Sequence, residues 1–77
     1  MKLNVIGSNQ TELVKADGTT VLFSYNTPVA VFVPGRGTLC STKKYSKTTS
    51  RHVNQQLNRY PGPRIDVEQM EVDRYVD

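Results

Sequence analysis

The chain has 77 residues, of which 36% are hydrophobic, and a net charge of +3 at pH 7. A chain this short has room for one domain with a modest core, and such domains often draw stability from disulfides, metals or oligomerisation. An intrachain disulfide is excluded because Cys40 is the only cysteine, and a four-ligand zinc site is disfavoured because His52 is the only histidine. We therefore expect no metal and no cofactor, and a monomer or a homo-oligomer, with a preference for the oligomer.

The first half of the chain predicts a β-meander. The dipeptide Asp17–Gly18 lies between two β-prone runs and is typical of a two-residue type I′ hairpin turn. Pro28 indicates a corner or a sheet edge, because proline cannot donate to a strand ladder. The uninterrupted apolar run that follows indicates a strand covered on both faces. The patterns predict strands at 2–6, 11–16, 19–25, 29–33 and 38–42, the last extending to 45 in its longer form.

The hydrophobic period then changes to that of a helix. Val53, Leu57 and Tyr60 recur at i, i+4 and i+7 and predict a helix over 48–60, which ends at the Pro-Gly-Pro sequence 61–63. The hydroxyl side chains just before and within its start are candidate N-caps: Ser46, Thr48, Thr49 and Ser50.

The acidic tail 61–77 is ambiguous. Asp66 with Gln69 resembles a capping box and predicts a short helix, whereas Ile65 and Val67 alternate as in a strand. The expected fold class is therefore α+β: a small antiparallel β-meander of four to five strands with one amphipathic helix packed on one face, plus a short C-terminal segment that can be helical. We expect one domain over 1–77, with the meander in 1–45, the helix in 48–60 and the tail in 61–77.

Catalytic chemistry is not indicated. His52 is expected at the surface or boundary of the helix start, and Cys40 as a small buried hydrophobic residue within a strand. Gly35-Arg36-Gly37 has the composition of a phosphate loop but not the spacing of one, and a turn with positive φ explains both glycines. No run resembles a signal peptide or a membrane span, and the unpaired cysteine favours a reducing compartment. We expect a non-enzymatic, cytoplasmic protein without membrane contact.

Charge is segregated along the chain. Residues 36–64 carry seven basic residues and no acid, whereas residues 65–77 carry five acids and only Arg74. Lys and Arg neutralise phosphates, and Arg, Asn and Gln pair with base edges. Tyr45 and Tyr60, at the two ends of the helical segment, could stack on unpaired bases. The candidate nucleic-acid-binding residues are Arg36, Lys43, Lys44, Lys47, Arg51, Asn54, Gln55 and Arg59, with Asn58 on the same helix face.

The same residues have plainer interpretations. The basic segment can be an ordinary solvated face or a protein-binding face, because neither a helix-turn-helix nor an RNA-recognition signature is present. The acidic tail can fold back over the basic face, mimic nucleic acid toward a basic partner, or form a simple charged surface helix.

Two stretches resemble a family of small proteins from bacteriophages and plasmids whose function is unknown. Residues 23–30 read FSYNTPVA and residues 43–54 read KKYSKTTSRHVN, and the family has an FSYxTPVA strand, a Gly-containing turn and a K(W/Y)SxTTSxHIN helix start. The resemblance covers about residues 11–58, with Tyr45 and Val53 where Trp and Ile are expected. It implies a mobile-element origin, a compact β-sheet with a helix, and a role for His52 and the Thr48-Thr49-Ser50 run in folding or binding. Thr49 or Ser50 would cap the helix and His52 would bond back to the sheet.

The sequence thus favours a phage- or plasmid-type protein that contacts DNA or RNA through a basic hairpin-plus-helix face, in the host cytoplasm if phage-encoded. The alternative is a protein–protein interaction module, such as a host-directed inhibitor or an assembly factor.

Overall fold

The structure, a computed structural model, describes residues 2–7, 9–43 and 47–76. These residues form one six-stranded sheet in which strand order follows chain order, with one helix between the last two strands and one after them. The elements are β1 (Lys2–Gly7), β2 (Gln10–Val14), β3 (Thr20–Ser24), β4 (Thr27–Val33), β5 (Gly37–Ser41), α1 (Lys47–Arg59), β6 (Arg64–Val67) and α2 (Gln69–Asp73).

The α+β class and the β-meander are confirmed, but the strand count and the uniform antiparallel pairing are wrong. Strands β1 to β5 pair antiparallel in succession, whereas β6 pairs parallel with β5. Parallel pairing follows from the connection, because α1 carries the chain back across the sheet before β6 begins. The sheet is therefore mixed and has one strand more than the upper expectation.

The two faces of the sheet carry separate cores. On one face Leu22, Ala30 and Cys40 lie in one cross-strand row and pack beneath Val53 and Leu57 of α1. On the other face the neighbouring row packs against α2. That second core consists of Val21, Val31, Leu39 and Val72. The expected double coverage of β4 is confirmed, and we name the two sides the α1 face and the α2 face.

The turn at Asp17–Gly18 differs from the predicted type. Only Gly18 has a positive φ, +92°, within this turn, and its N–H donates to the Lys15 carbonyl at 3.0 Å. The Asp17 carboxylate accepts from the Thr19 N–H at 2.9 Å, which fixes Asp17 in an ordinary conformation. The loop is thus the three-residue form with a glycine bulge, because a type I′ turn requires positive φ at two central residues.

The tail is neither a single helix nor a capping box. Asp66 lies inside β6, and the residue before α2 is Glu68, which makes no side-chain cap. Gln69 instead attaches α2 to the sheet, since its Nε2 donates to the Pro28 carbonyl and its Oε1 accepts from the Ser41 hydroxyl, each at 2.7 Å. A strand therefore precedes the short helix, as the alternation of Ile65 and Val67 had suggested.

Two glycines let the loop after α1 reach β5. Gly37 has φ +122°, and a Cβ there would lie 2.9 Å from Pro63 Cδ. A Cβ on Gly62 would lie 2.9 Å from the Gly37 Cα. The Thr38 N–H donates to the Pro63 carbonyl at 3.0 Å, one residue before β6 begins. This close approach sets the start of the parallel pairing.

Candidate nucleic-acid interface

A buried polar cluster anchors the first half of α1 to the sheet. Ser24, at the end of β3, places its hydroxyl 2.8 Å from His52 Nδ1 and 3.0 Å from the Thr49 hydroxyl. Ser24 is only 2% exposed and His52 only 7%. Because both groups are shielded from solvent, the pair holds the helix in place rather than facing a ligand. It also joins the two stretches that carry the sequence resemblance.

These contacts correct two expectations. His52 is buried rather than at the surface or boundary of the helix start, and the bond from His52 back to the sheet that the resemblance implies is present. Helix α1 begins at Lys47, so Thr48, Thr49 and Ser50 lie inside its first turn and none is the N-cap. The remaining cap candidate, Ser46, lies outside the described residues.

We expect the free energy of unfolding to fall as the pH drops below about 6.5. Burial, and secondly the charge of Arg51, lowers the pKa of the His52 imidazole below its ordinary value of 6.5. At a pH between the folded-state and the unfolded-state pKa of His52, the unfolded chain binds a proton and the folded chain does not. The stability that is present above pH 6.5 is therefore lost as the pH falls toward the folded-state pKa. Urea unfolding at about pH 7.5 and about pH 5.5 measures this. A His52→Gln variant should lose much of the difference over this interval, and an unchanged pH response in that variant would contradict the assignment.

A second polar cluster fixes the other end of α1. The carboxylate of Glu12, on β2, accepts from the Tyr60 hydroxyl at 2.9 Å and from Arg59 Nη2 at 3.3 Å. The Tyr60 ring stacks on Phe32 with centroids 4.6 Å apart. Tyr60 is therefore engaged within the fold through both its ring and its hydroxyl, and its stacking on bases stays a prediction. Arg59 is a partner of a buried acid rather than a member of an open basic face.

The solvent-facing side of α1 is polar and lacks acids. The side of α1 that faces the sheet contains Thr49, His52 and Gln56, which are all buried. Gln56 Nε2 donates to the Thr20 carbonyl at 3.4 Å. The exposed residues that lie opposite form what we call the outer face of α1: Lys47, Ser50, Arg51, Asn54, Gln55 and Asn58. The helical spacing predicted this grouping for Arg51, Asn54, Gln55 and Asn58.

A groove of about 470 Å³ runs between the first turns of α1, the end of β5 and the first half of β6. Two cations line it, Lys43 after β5 and Arg64 at the start of β6. Arg64 Nε donates to Asp66 at 2.9 Å, so the groove also contains one carboxylate. Arg64 is not among the residues predicted from the sequence. A helix, and not a strand, was the favoured prediction for the segment that forms β6. Without that strand, the sequence could not place Arg64 on the α1 face. The other lining residues are Val29, Ser41, Thr42, Thr49, Ser50, Val53 and Asn54.

Arg36, a further candidate, is not part of this surface. Arg36 lies in the turn before β5, and Lys43 lies after β5. The backbones of these two residues are therefore separated by the length of β5, which is about 17 Å for five residues. Arg36 Nη1 instead lies 3.5 Å from the Tyr75 hydroxyl, beyond α2. Lys44 and Tyr45 lie outside the described residues.

Two of the four described acids of the tail lie away from the outer face of α1. Glu71 and Asp73 belong to α2, which packs on the α2 face of the sheet. Asp66 differs, because it lies in the groove beside Arg64. Folding of the whole tail over the basic face is thus not observed within the described ranges.

Cys40 lies in the core of the α1 face and not at a surface site. Cys40 is 1% exposed, and burial raises the pKa of its thiol, as expected of a small core residue. Within residues 2–7, 9–43 and 47–76, no three His, Cys, Asp or Glu side chains are grouped to hold a metal ion. Neither described helix has the length and apolar content needed to cross a lipid bilayer.

The comparisons with known proteins give a family and no function. No curated protein and no solved structure matches the chain. The sequence model of a family of unknown function, DUF8033, matches residues 1–74, which is nearly the whole chain. The chain therefore belongs to this family of unknown function.

Proposed function

We propose that this protein is a small non-enzymatic binding protein that contacts nucleic acid through the outer face of α1. One observation carries the proposal: the exposed side of the helix combines Lys47 and Arg51 with three amide side chains, and the sequence of α1 contains no acid. A solvated helix face of ordinary composition mixes both signs of charge. The single sign and the amides together match the chemistry of phosphates and base edges.

The helix is suited to a duplex by its size and by its attachment. Thirteen residues of α-helix are about 20 Å long, and the major groove of B-DNA admits a helix of this kind. Ser24 holds one end of the helix and Glu12 the other, so the outer face is presented on a fixed support. The Tyr60 ring already stacks on Phe32, so it gives little support to a mode of binding in which unpaired bases stack on Tyr60. We therefore favour double-stranded DNA over single strands.

The groove beside the helix supplies backbone contacts in this proposal. Lys43 and Arg64 lie next to the first turns of α1, where the orphan N–H groups of a helix favour an anion. Phosphate contacts of this kind set register, while Asn54 and Gln55 can contact base edges. The proposal includes the mobile-element origin implied by the sequence resemblance, and with it action in the cytoplasm of a bacterial host.

Removing the charges of the outer face should weaken binding to DNA about tenfold or more. Fluorescence anisotropy with labelled duplex DNA, single-stranded DNA and RNA, repeated over a salt series, measures the affinity of the wild type and of a Lys47→Ala/Arg51→Ala variant. Each lost phosphate contact should reduce the slope of log affinity against log salt by about 0.9, so the double variant should lose about two.

A matched variant controls for net charge. Arg36→Ala/Arg74→Ala removes the same two positive charges from the other end of the sheet and from the end of α2, and it should keep nearly the wild-type affinity. If both double variants lose the same affinity for DNA, the loss reflects net charge alone and contradicts a defined interface on the outer face of α1. Absence of binding at low salt would contradict the nucleic-acid function itself.

A second candidate function is supported by a different surface. Leu3, Val5 and Tyr25 are 64%, 78% and 51% exposed, and exposed apolar side chains of this kind often mark protein-binding sites. A protein–protein interaction module, such as a host-directed inhibitor or an assembly factor, would use this surface and would show no affinity for nucleic acid.

A further inference from the structure

One edge of the sheet is open and apolar. Strand β1 pairs with β2 on one side and lies at the end of the strand order, so its other side offers a row of backbone donors and acceptors. Val5 and Leu3, both on this strand, are the two most exposed large apolar side chains among the described residues, at 78% and 64%. Met70 of α2 follows at 60%. Open strand edges are usually protected, because they can pair with another chain.

The opposite edge of the sheet differs in this respect. Strand β6 is four residues long and alternates Arg64 and Asp66 with its apolar positions. Those two side chains form an ion pair at 2.9 Å, and charged groups on a short edge strand discourage further pairing. Strand β1 has one charged residue, Lys2 at its start, and none from Leu3 to Ile6. Of the two edges of the sheet that the described residues form, the β1 edge therefore combines open backbone groups with exposed, uncharged side chains at Leu3 and Val5.

The apolar side chains of β1 continue an existing core. Leu3 lies opposite Leu13 of β2, and Val5 lies opposite Thr11, in the row that continues to Phe23 of β3. Leu13 and Phe23 pack against the core of the α2 face. A strand added beside β1 would therefore cover Leu3 and Val5 as a lateral extension of that core.

We propose that a second copy of this chain pairs antiparallel with the β1 edge, about a two-fold axis beside Asn4. In this register Leu3 of each copy faces Val5 of the other and Asn4 faces Asn4, which makes the strand complementary to itself. An isologous interface requires such self-complementarity. The pairing of β1 with β2 is regular from Lys2 to Val5, so the three residue pairs around the axis lie in regular strand. The area involved is small, and we infer a reversible dimer rather than an obligate one.

Sedimentation equilibrium over about a hundredfold range of protein concentration tests the dimer. We expect the wild type to shift from monomer to dimer as concentration rises, and Val5→Lys to remain a monomer because two lysines would then face apolar partners. Met70→Lys provides the matched control: it adds the same charge at an exposed apolar residue of α2, and it should still dimerise. A monomeric wild type throughout the range, or a Val5→Lys protein that dimerises like the wild type, would overturn the proposal.

A cross-link tests the register. An Asn4→Cys variant should form an intermolecular disulfide under mild oxidation, because directly opposed residues bring their Cα atoms within the range that a disulfide spans. The native Cys40 is buried and should not compete. Thr48→Cys, at an exposed residue of α1, measures cross-linking by random collision. Cross-linking of Asn4→Cys that does not exceed that of Thr48→Cys would overturn the register, and with it this mode of pairing.

Discussion

Replacing Gly37 by alanine should lower the free energy of unfolding by about 3 kcal/mol. The substitution places a Cβ on a residue with φ +122°, a conformation that favours glycine, and sets that Cβ against the backbone and ring of Pro63. Relief of the overlap would move Pro63 away from β5 and stretch the bond from the Thr38 N–H to the Pro63 carbonyl. Chemical denaturation of the two proteins measures the difference.

Gly35→Ala separates the contact from the backbone conformation. Gly35 also has a positive φ, +85°, but a Cβ there would meet nothing within 4 Å. We expect this variant to lose about 1 kcal/mol, which is the cost of the conformation alone. Equal losses in the two variants would show that the approach of Pro63 to β5 contributes nothing measurable.

Replacing Ser24 by alanine should lower the free energy of unfolding by about 2 kcal/mol. The variant removes the hydroxyl to which both His52 and Thr49 bond, and it leaves a buried imidazole nitrogen without that partner. Because this cluster fixes the first half of α1, amide hydrogen exchange in the helix should also become faster. Urea unfolding and exchange measured on the same sample give both quantities.

Ser50→Ala is the control for the Ser24 variant. Ser50 lies on the outer face of α1 and is exposed, so its loss should change stability by no more than about 0.5 kcal/mol. If Ser24→Ala is as mild as Ser50→Ala, the hydrogen bonds of the cluster do not hold the helix. If it destabilises the protein without changing exchange in α1, the cluster supports the sheet rather than the helix.

Local patterns predicted the elements that neighbouring residues define. The alternation and turn residues of 2–42 gave the antiparallel strands, and the spacing of Val53 and Leu57 gave α1. Strand β6 was not the favoured assignment because four residues that include Arg64 and Asp66 give a weak period, and their partner strand β5 is distant in the chain. The turn at Asp17 differed because the side chain of that residue accepts a bond that the dipeptide pattern does not reveal.

The candidate interface was predictable where it depends on one helix and not where it depends on several elements. Helical spacing alone places Arg51, Asn54 and Gln55 on one exposed side. It cannot show that Glu12 of β2 reaches Arg59, or that Arg36 lies at the other end of the sheet. Such facts require the strand directions. The burial of His52 likewise depends on Ser24, a residue of another strand.

The order of the strands has a consequence for folding kinetics. Each strand from β1 to β5 pairs with its predecessor in the chain, so these pairings close short loops at low entropic cost. The parallel pair is different, because β6 can join β5 only after residues 42–63 have crossed the sheet as α1 and its connections. Pairings between distant residues slow folding, and the crossover is thus the step expected to limit the rate. The helix that carries the proposed interface would accordingly be secured late, on a sheet that is already formed.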